Sequence, residues 1–181
     1  FMFEQPHIQA WLSDGRPNHQ LHPIYCYSAL EVGSVINAMV LYHRQFPDDS
    51  ISLRIAQLAA NYLIDHSEKK GAALEGFPQV YEGDHLAAAR FQNQIILTEP
   101  AATGQSFLLL FDETADSTYF EAALRIARTY RKTQHSNGTW YVRLDKNTGK
   151  PVTDVFCIPM KIVQFLQLLS EKYQQTEFNP I

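Results

Sequence analysis

The chain has 181 residues, 45% of them apolar, and a formal net charge of −4, which suits one globular domain spanning 1–181. This mild negative charge gives no support for binding to nucleic acid or to an anionic membrane surface. The longest apolar run, 106–111, is far shorter than the roughly 20 residues that a membrane-spanning helix needs. We therefore expect neither a nucleic-acid partner nor a membrane partner.

Hydrophobic periodicity predicts five long helices. Segment 25–46 is apolar nearly all round, which is typical of a helix that is buried on most faces. Segment 48–69 is amphipathic, with Asp49 or Ser50 as its N-cap and a basic last turn before Gly71. The same alternation continues with a buried helix over 101–114, an amphipathic helix over 115–134 capped by Asp116 or Ser117, and a buried helix over 157–174.

The segments between and beyond these helices carry weaker patterns. Residues 1–24 are expected to be extended, and 175–181 to be an extended or frayed tail. The connection 71–100 contains a candidate short helix over 84–97. Alternating residues followed by a turn signal predict a short β-hairpin near 138–152.

A short repeat relates the two amphipathic helices. The sequence LRIA occurs at 53–56 and again at 124–127, each time after a buried helix and a short acidic turn. This context suggests repeated helical hairpins. Because helices alternate in direction along such an array, the long connections 71–100 and 135–156 should gather at one end, which we expect to be the functional end.

This layout resembles the six-hairpin (α/α) toroids, a superfamily of six-hairpin glycosidase-like proteins that includes N-acylglucosamine 2-epimerases and unsaturated glucuronyl hydrolases. The alternating helices, the repeated LRIA and the segment 119–152 carry the resemblance, which covers most of 25–174. It implies an all-α fold of antiparallel helical hairpins. Because the resemblance is architectural, no catalytic residue is carried over by motif.

Five helices make less than half of a complete ring. We therefore expect the chain to be a C-terminal portion of a larger toroid. The apolar sides of an open array would form a large exposed patch, which predicts self-association or association with the missing part of the toroid.

The resemblance places a carbohydrate site where the loops 75–85 and 140–154 converge. Glu82, Asp84 and His85 are then candidate catalytic residues, because glycoside cleavage uses two carboxyl groups and sugar epimerisation uses bases that are commonly histidines. The alternative is that these residues form a solvated acidic turn.

Aromatic and basic residues of the same loops are candidates for substrate binding. Phe77, Tyr81 and Trp140 could stack on a sugar ring, and Arg143 could bind a uronate carboxylate. The alternatives are that the aromatic side chains pack the loops onto the helix ends, and that Arg143 pairs with Asp145 at the surface.

The sequence predicts no metal and no cofactor. His19 and His22 have H-x-x-H spacing but lack an apparent third ligand, and no phosphate-binding loop or nucleophile elbow is present. Cys26 and Cys157 are interpreted as small buried residues, with a single disulfide left open. If Glu31 is buried on the first helix it needs a partner, so it is a further candidate.

Two functions remain as hypotheses. The first is a carbohydrate-active protein of the glycoside hydrolase or sugar epimerase type, which predicts two titratable groups converging in a deep pocket. The alternative is a non-catalytic helical-repeat module that binds a protein or glycan, which predicts a shallow groove with its carboxylates in solvent.

Overall fold

The computed structural model describes residues 2–83 and 85–179, and these residues are mostly helical. Within these ranges the α-helices are α1 (Pro6–Asp14), α2 (Ser28–Gln45), α3 (Ser50–Asp65), α4 (Leu86–Phe91), α5 (Thr98–Thr114), α6 (Ser117–Thr133) and α7 (Met160–Lys172). Strands β1 (Gln94–Ile96) and β2 (Arg143–Asp145) form an antiparallel pair, and 3₁₀ turns cover Met2–Glu4, Pro23–Cys26 and Thr176–Phe178. The all-α class is therefore confirmed. None of the described helices is long and apolar enough to cross a membrane.

Helix α5 is the centre of the arrangement, since it contacts α2, α6 and α7. Helices α2 and α3 form one hairpin and α5 and α6 form a second, each closed by a short turn. The helices α2, α5 and α7 thus form a row, α3 and α6 pack against it, and α1 packs on α3. The predicted alternation of buried and amphipathic helices is observed in this order.

The amphipathic helices begin at the predicted caps. The Asp49 carboxylate accepts from the Ser52 amide at 2.9 Å, and the Asp116 carboxylate accepts from the Thr118 amide at 2.9 Å. Helix α3 ends at Asp65, earlier than predicted, because the chain beyond it pairs with the following loop. There the Glu68 amide donates to the Phe77 carbonyl at 2.9 Å.

Small residues let the helices of the row approach closely. The Thr103 hydroxyl donates to the Ala29 carbonyl at 3.0 Å, and the Ser106 hydroxyl donates to the Gly33 carbonyl at 3.2 Å, both across the α2–α5 contact. On its other side, α5 presents Gly104 to the ring of Phe165 on α7. These contacts fix the spacing of α2, α5 and α7.

The carboxyl ends of α2, α5 and α7 are tied together. The Arg44 guanidinium donates to the Glu113 carboxylate at 2.8 Å, and both the Lys172 ammonium and the Tyr173 hydroxyl donate to the Asp112 carboxylate. Because the last turns of all three helices meet at this end, their first turns share the opposite end. We call the latter the loop end.

The two long connections meet at the loop end, as predicted. Ile95 of β1 pairs with Leu144 of β2, and both side chains are buried. The Lys146 amide donates to the Asn93 carbonyl at 2.9 Å, and its ammonium lies 4.0 Å from the Glu68 carboxylate. The predicted β-hairpin near 138–152 is present as a short local pairing, since Leu144 bridges Pro151 and the Val152 amide donates to the Arg143 carbonyl at 3.1 Å. The prediction missed that β2 also pairs with β1 from the other connection.

Both ends of the chain are more ordered than predicted. Residues 1–24 contain α1, which buries Trp11 completely and ends at Gly15 in a left-handed conformation with φ of 64°. In the tail, Phe178 is only 2% exposed, so this segment folds back onto the core. Burial of large aromatic side chains explains why neither segment is extended.

Two glycine substitutions test the packing of the row. A Cβ at Gly104 would lie 2.5 Å from the Phe165 ring, whereas a Cβ at Gly33 would find its nearest atom, the Ser106 hydroxyl oxygen, at an ordinary 3.5 Å. We expect Gly104→Ala to lower the free energy of unfolding by about 1–3 kcal/mol through overpacking. The control Gly33→Ala should be neutral or stabilising by up to about 1 kcal/mol, because alanine favours helix. Urea denaturation measures both, and equal effects would contradict this packing.

Candidate functional site

Three charged side chains at the loop end act electrostatically on a fourth, Glu99. Glu31, Glu99 and Lys161 lie in the first turns of α2, α5 and α7, and Arg143 is contributed by β2. Lys161, Glu31 and Arg143 are all near enough for their charges to act on the Glu99 carboxyl. We call these four residues the Glu99 cluster.

Glu99 is the electrostatic centre of the cluster. Burial raises the pKa of its carboxyl from an ordinary 4.5 to about 7. Lys161 and Arg143 act against this rise in pKa, and the negative charge of Glu31 adds to it. The Glu99 Oε2 atom is buried and has no hydrogen-bond partner in the described part of the chain. The carboxyl can therefore take up or release a proton near neutral pH.

The Glu99 cluster differs from the opposite end of the row. There Arg44 and Lys172 form ion pairs with acidic partners. Among residues 2–83 and 85–179, none of the four cluster side chains forms an ion pair. The Arg143 guanidinium instead lies 4.8 Å from the centre of the Phe91 ring and donates to the Gln94 side chain at 3.4 Å. Arg143 therefore pairs with neither Asp145 nor any other described carboxylate.

The three aromatic residues proposed to bind substrate lie in the core. Phe77 and Trp140 are at most 1% exposed and both pack on Tyr130, to whose carbonyl the Trp140 indole donates at 2.9 Å. Tyr81 is 4% exposed and packs between Tyr27 and Phe91. This corrects their assignment as substrate-binding residues, since no face of these rings is open to a ligand. The alternative, that they pack the loops onto the helix ends, is what the structure shows.

Two of the proposed catalytic residues, Glu82 and His85, have their hydrogen-bond partners outside the Glu99 cluster. The Glu82 carboxylate accepts from the Tyr62 hydroxyl at 2.8 Å, and the Glu82 amide donates to the Cys26 carbonyl at 2.9 Å. His85 is the N-cap of α4, where its Nδ1 accepts from the Ala87 amide at 3.2 Å. Asp84 lies outside the described residues.

His85 borders a cavity of about 900 Å³ that is also lined by the end of α1 and the turn after it, by Pro23 and Cys26, by one face of α3 and by Gly83. We call it the His19 cavity, because the His19 ring packs against Gly83 at its edge. Its walls are mostly polar and include three histidines. The polar side chains that line it are Asp14, Arg16, Asn18, His19, Gln20, Asn61, Tyr62, Asp65, His66 and His85.

Within the described residues, no group of three or more His, Cys, Asp or Glu is placed to hold a metal ion. The H-x-x-H pair is split, since His19 lines the cavity while the ring of His22 stacks on His7 at 4.6 Å. Cys26 and Cys157 are both free thiols, the first buried and the second half-buried.

No protein-family model, curated protein or solved structure matches this chain. The site therefore has to be interpreted from its own geometry.

Sequence reasoning missed Glu99 and Lys161, although it marked Glu31. A usable signal was present at Glu99, because it is a carboxylate next to Pro100 at the start of a mostly apolar helix. When such a helix is buried, a charged residue in its first turn is buried with it. Lys161 had no such signal, since it stands in a first turn where an exposed lysine is ordinary.

The raised pKa of Glu99 predicts how stability depends on pH. Between pH 4.5 and about 7 the folded protein holds a proton that the unfolded chain has released, so stability falls as pH rises through this window. Glutamine does not titrate, so Glu99→Gln should abolish this loss of stability. The change in the free energy of unfolding that the substitution causes should be about 3 kcal/mol more favourable at pH 8 than at pH 4. Urea denaturation at both pH values measures the difference. The control Glu121→Gln, at an exposed position of α6, should leave the pH dependence unchanged, and an equal response of both variants would contradict the assignment.

Proposed function

We propose that this protein is carbohydrate-active, of the glycoside hydrolase or sugar epimerase type, and that Glu99 transfers the proton. One observation carries this proposal. A mostly buried carboxyl with a pKa of about 7 and one unpartnered oxygen lies where three helix first turns and the two long loops meet. General acids and bases work best when their pKa is close to the working pH.

The neighbours of Glu99 supply the other groups that such chemistry needs. Glu31 is a second carboxyl group, as glycoside cleavage requires. Arg143 and Lys161 are cations without an ion-pair partner in the described part of the chain, and they would bind the carboxylate of an acidic sugar. The proposed substrate is therefore a uronate-containing glycan.

We further propose that the helices form part of an (α/α) toroid. Support comes from the row of α2, α5 and α7 with α3 and α6 packed against it, which is the inner and outer arrangement of such a ring. In this proposal the open sides of the row associate with a second copy or with further hairpins. Light scattering that shows a monomer at every protein concentration would contradict self-association.

One observation favours the alternative, a non-catalytic module that binds a partner. Large apolar side chains are exposed in the segment that leads into α7. Ile158 is 79% exposed and Met160 is 65% exposed, and both precede Lys161 of the Glu99 cluster by three residues or fewer. A partner protein could cover this segment.

Activity assays separate the two proposals. The wild type, Glu99→Gln and the control Glu121→Gln are incubated with uronate-containing oligosaccharides, and NMR detects glycoside cleavage or epimerisation. We expect turnover by the wild type and the control, with a loss of about 10²–10⁴-fold in Glu99→Gln because the proton donor or acceptor is removed. Equal turnover by Glu99→Gln and wild type, or no turnover by any of them, would contradict the catalytic proposal.

The pH profile distinguishes the two reaction types. If Glu99 acts as general acid in hydrolysis, it must be protonated, so kcat/KM should fall as pH rises through about 7. If it acts as the base of an epimerase, kcat/KM should rise through the same value. A profile that is flat from pH 5 to 9 is inconsistent with either role.

A further inference from the structure

The His19 cavity is separate from the Glu99 cluster, since none of the four cluster residues lines it. Its volume of about 900 Å³ lies within the range of small-molecule sites. Several separate parts of the chain build it, namely the end of α1 with the turn after it, the 3₁₀ turn Pro23–Cys26, one face of α3, and Gly83 with His85. A cavity built in this way is a feature of the tertiary fold.

Two of its histidines have their ring protons placed by neighbouring backbone groups. The His66 Nδ1 lies 2.8 Å from the Tyr62 carbonyl, which can only accept, so Nδ1 carries a proton and Nε2 of the neutral ring is left as an acceptor. The His85 Nδ1 accepts from the Ala87 amide, so its Nε2 carries the proton and is left as a donor. The cavity thus offers a fixed acceptor and a fixed donor.

The wall formed by α3 is held rigid. The Tyr62 hydroxyl donates to Glu82, and burial followed by the charge of Glu82 raises the pKa of Tyr62, so the phenol stays protonated. The rings of Tyr62 and His66 stack at 4.0 Å, and Trp11 packs edge-on against Tyr62. These side chains are already ordered, so ligand binding costs little additional side-chain conformational entropy.

The opposite edge contains an unsatisfied polar atom. The His19 Nδ1 is buried and has no hydrogen-bond partner among the described residues. Gly83, with φ of 76°, lies so close that a Cβ there would come within 3.0 Å of the His19 ring. The backbone at Gly83 therefore lies so close to the His19 ring that only glycine fits at this position.

The charges of the cavity argue against an anionic ligand. Among the described residues that line it, Asp14 and Asp65 are acidic and Arg16 is the one formal cation, and the Tyr62 hydroxyl donates to the Glu82 carboxylate. Asn18 and Asn61 add side chains that both donate and accept. Closely spaced donors and acceptors without an excess of positive charge match a molecule with several neighbouring hydroxyl groups.

We propose that the His19 cavity is a second binding site, which takes a neutral polyhydroxylated ligand such as an uncharged sugar unit. His66 and Asp65 accept from its hydroxyl groups, and the His85 Nε2–H donates to one of them. This site binds without performing chemistry, and it does not depend on turnover at Glu99.

The test is a titration of the ¹⁵N-labelled protein with D-glucose, D-galactose and myo-inositol, each followed by ¹H–¹⁵N NMR, with sulfate as the anionic probe. We expect saturable shifts with at least one neutral probe at the amides of Asn61, His66, Gly83 and His85. His66→Ala and Asp65→Asn should each weaken binding by about tenfold or more, because both side chains are exposed and their removal leaves the fold intact. The control Asp48→Asn, in the turn between α2 and α3, should leave binding unchanged.

Glu99→Gln separates this inference from the proposed function. It should lower turnover by about 10²–10⁴-fold and leave the NMR dissociation constant of the neutral probe unchanged. The inference is overturned if no neutral probe gives saturable shifts, if sulfate binds the same residues more tightly, or if the shifts occur only around Glu99.

Discussion

The close contact between α2 and α5 is the constraint on which the site depends. Thr103 and Ser106 donate from α5 to the backbone carbonyls of Ala29 and Gly33 on α2. Each hydroxyl also lies within hydrogen-bond distance of a carbonyl of its own helix, at 3.5 Å for Thr103 and 3.1 Å for Ser106, and the α2 carbonyl is a second acceptor that is reached only when the helices are close. The register of the two helices is thereby fixed, so Glu31 stays near enough to act on Glu99.

The two ends of the helical row differ in how their charged side chains are arranged. At the carboxyl ends, acidic and basic side chains are paired, and they hold α2, α5 and α7 in a common direction. In the Glu99 cluster, by contrast, no ion pair forms among the described residues, and the Glu99 carboxyl is mostly buried with one oxygen that lacks a hydrogen-bond partner there. A buried carboxyl without a hydrogen-bond partner lowers the stability of the fold. Residues kept at such a cost to stability are expected at functional sites.

The helices could be predicted from sequence because their information is local. The apolar periodicity and the caps Asp49 and Asp116 depend on residues a few positions apart. The site could not be predicted to the same extent, since Arg143 and Lys161 reach Glu99 only through packing between distant segments. Phe77 and Trp140 were misassigned because an aromatic residue that fills the core and one that stacks on a sugar look the same in a sequence.

The proposed role of Glu99 requires that its carboxyl hold a proton near neutral pH in the folded protein. The direct measurement is the titration of its side-chain carboxyl carbon by ¹³C NMR in glutamate-labelled protein, with the signal assigned by its loss in Glu99→Gln. A midpoint of about 7 is the predicted result. A midpoint at the ordinary 4.5 would show that the carboxyl is solvated and would contradict the proposed role of the Glu99 cluster.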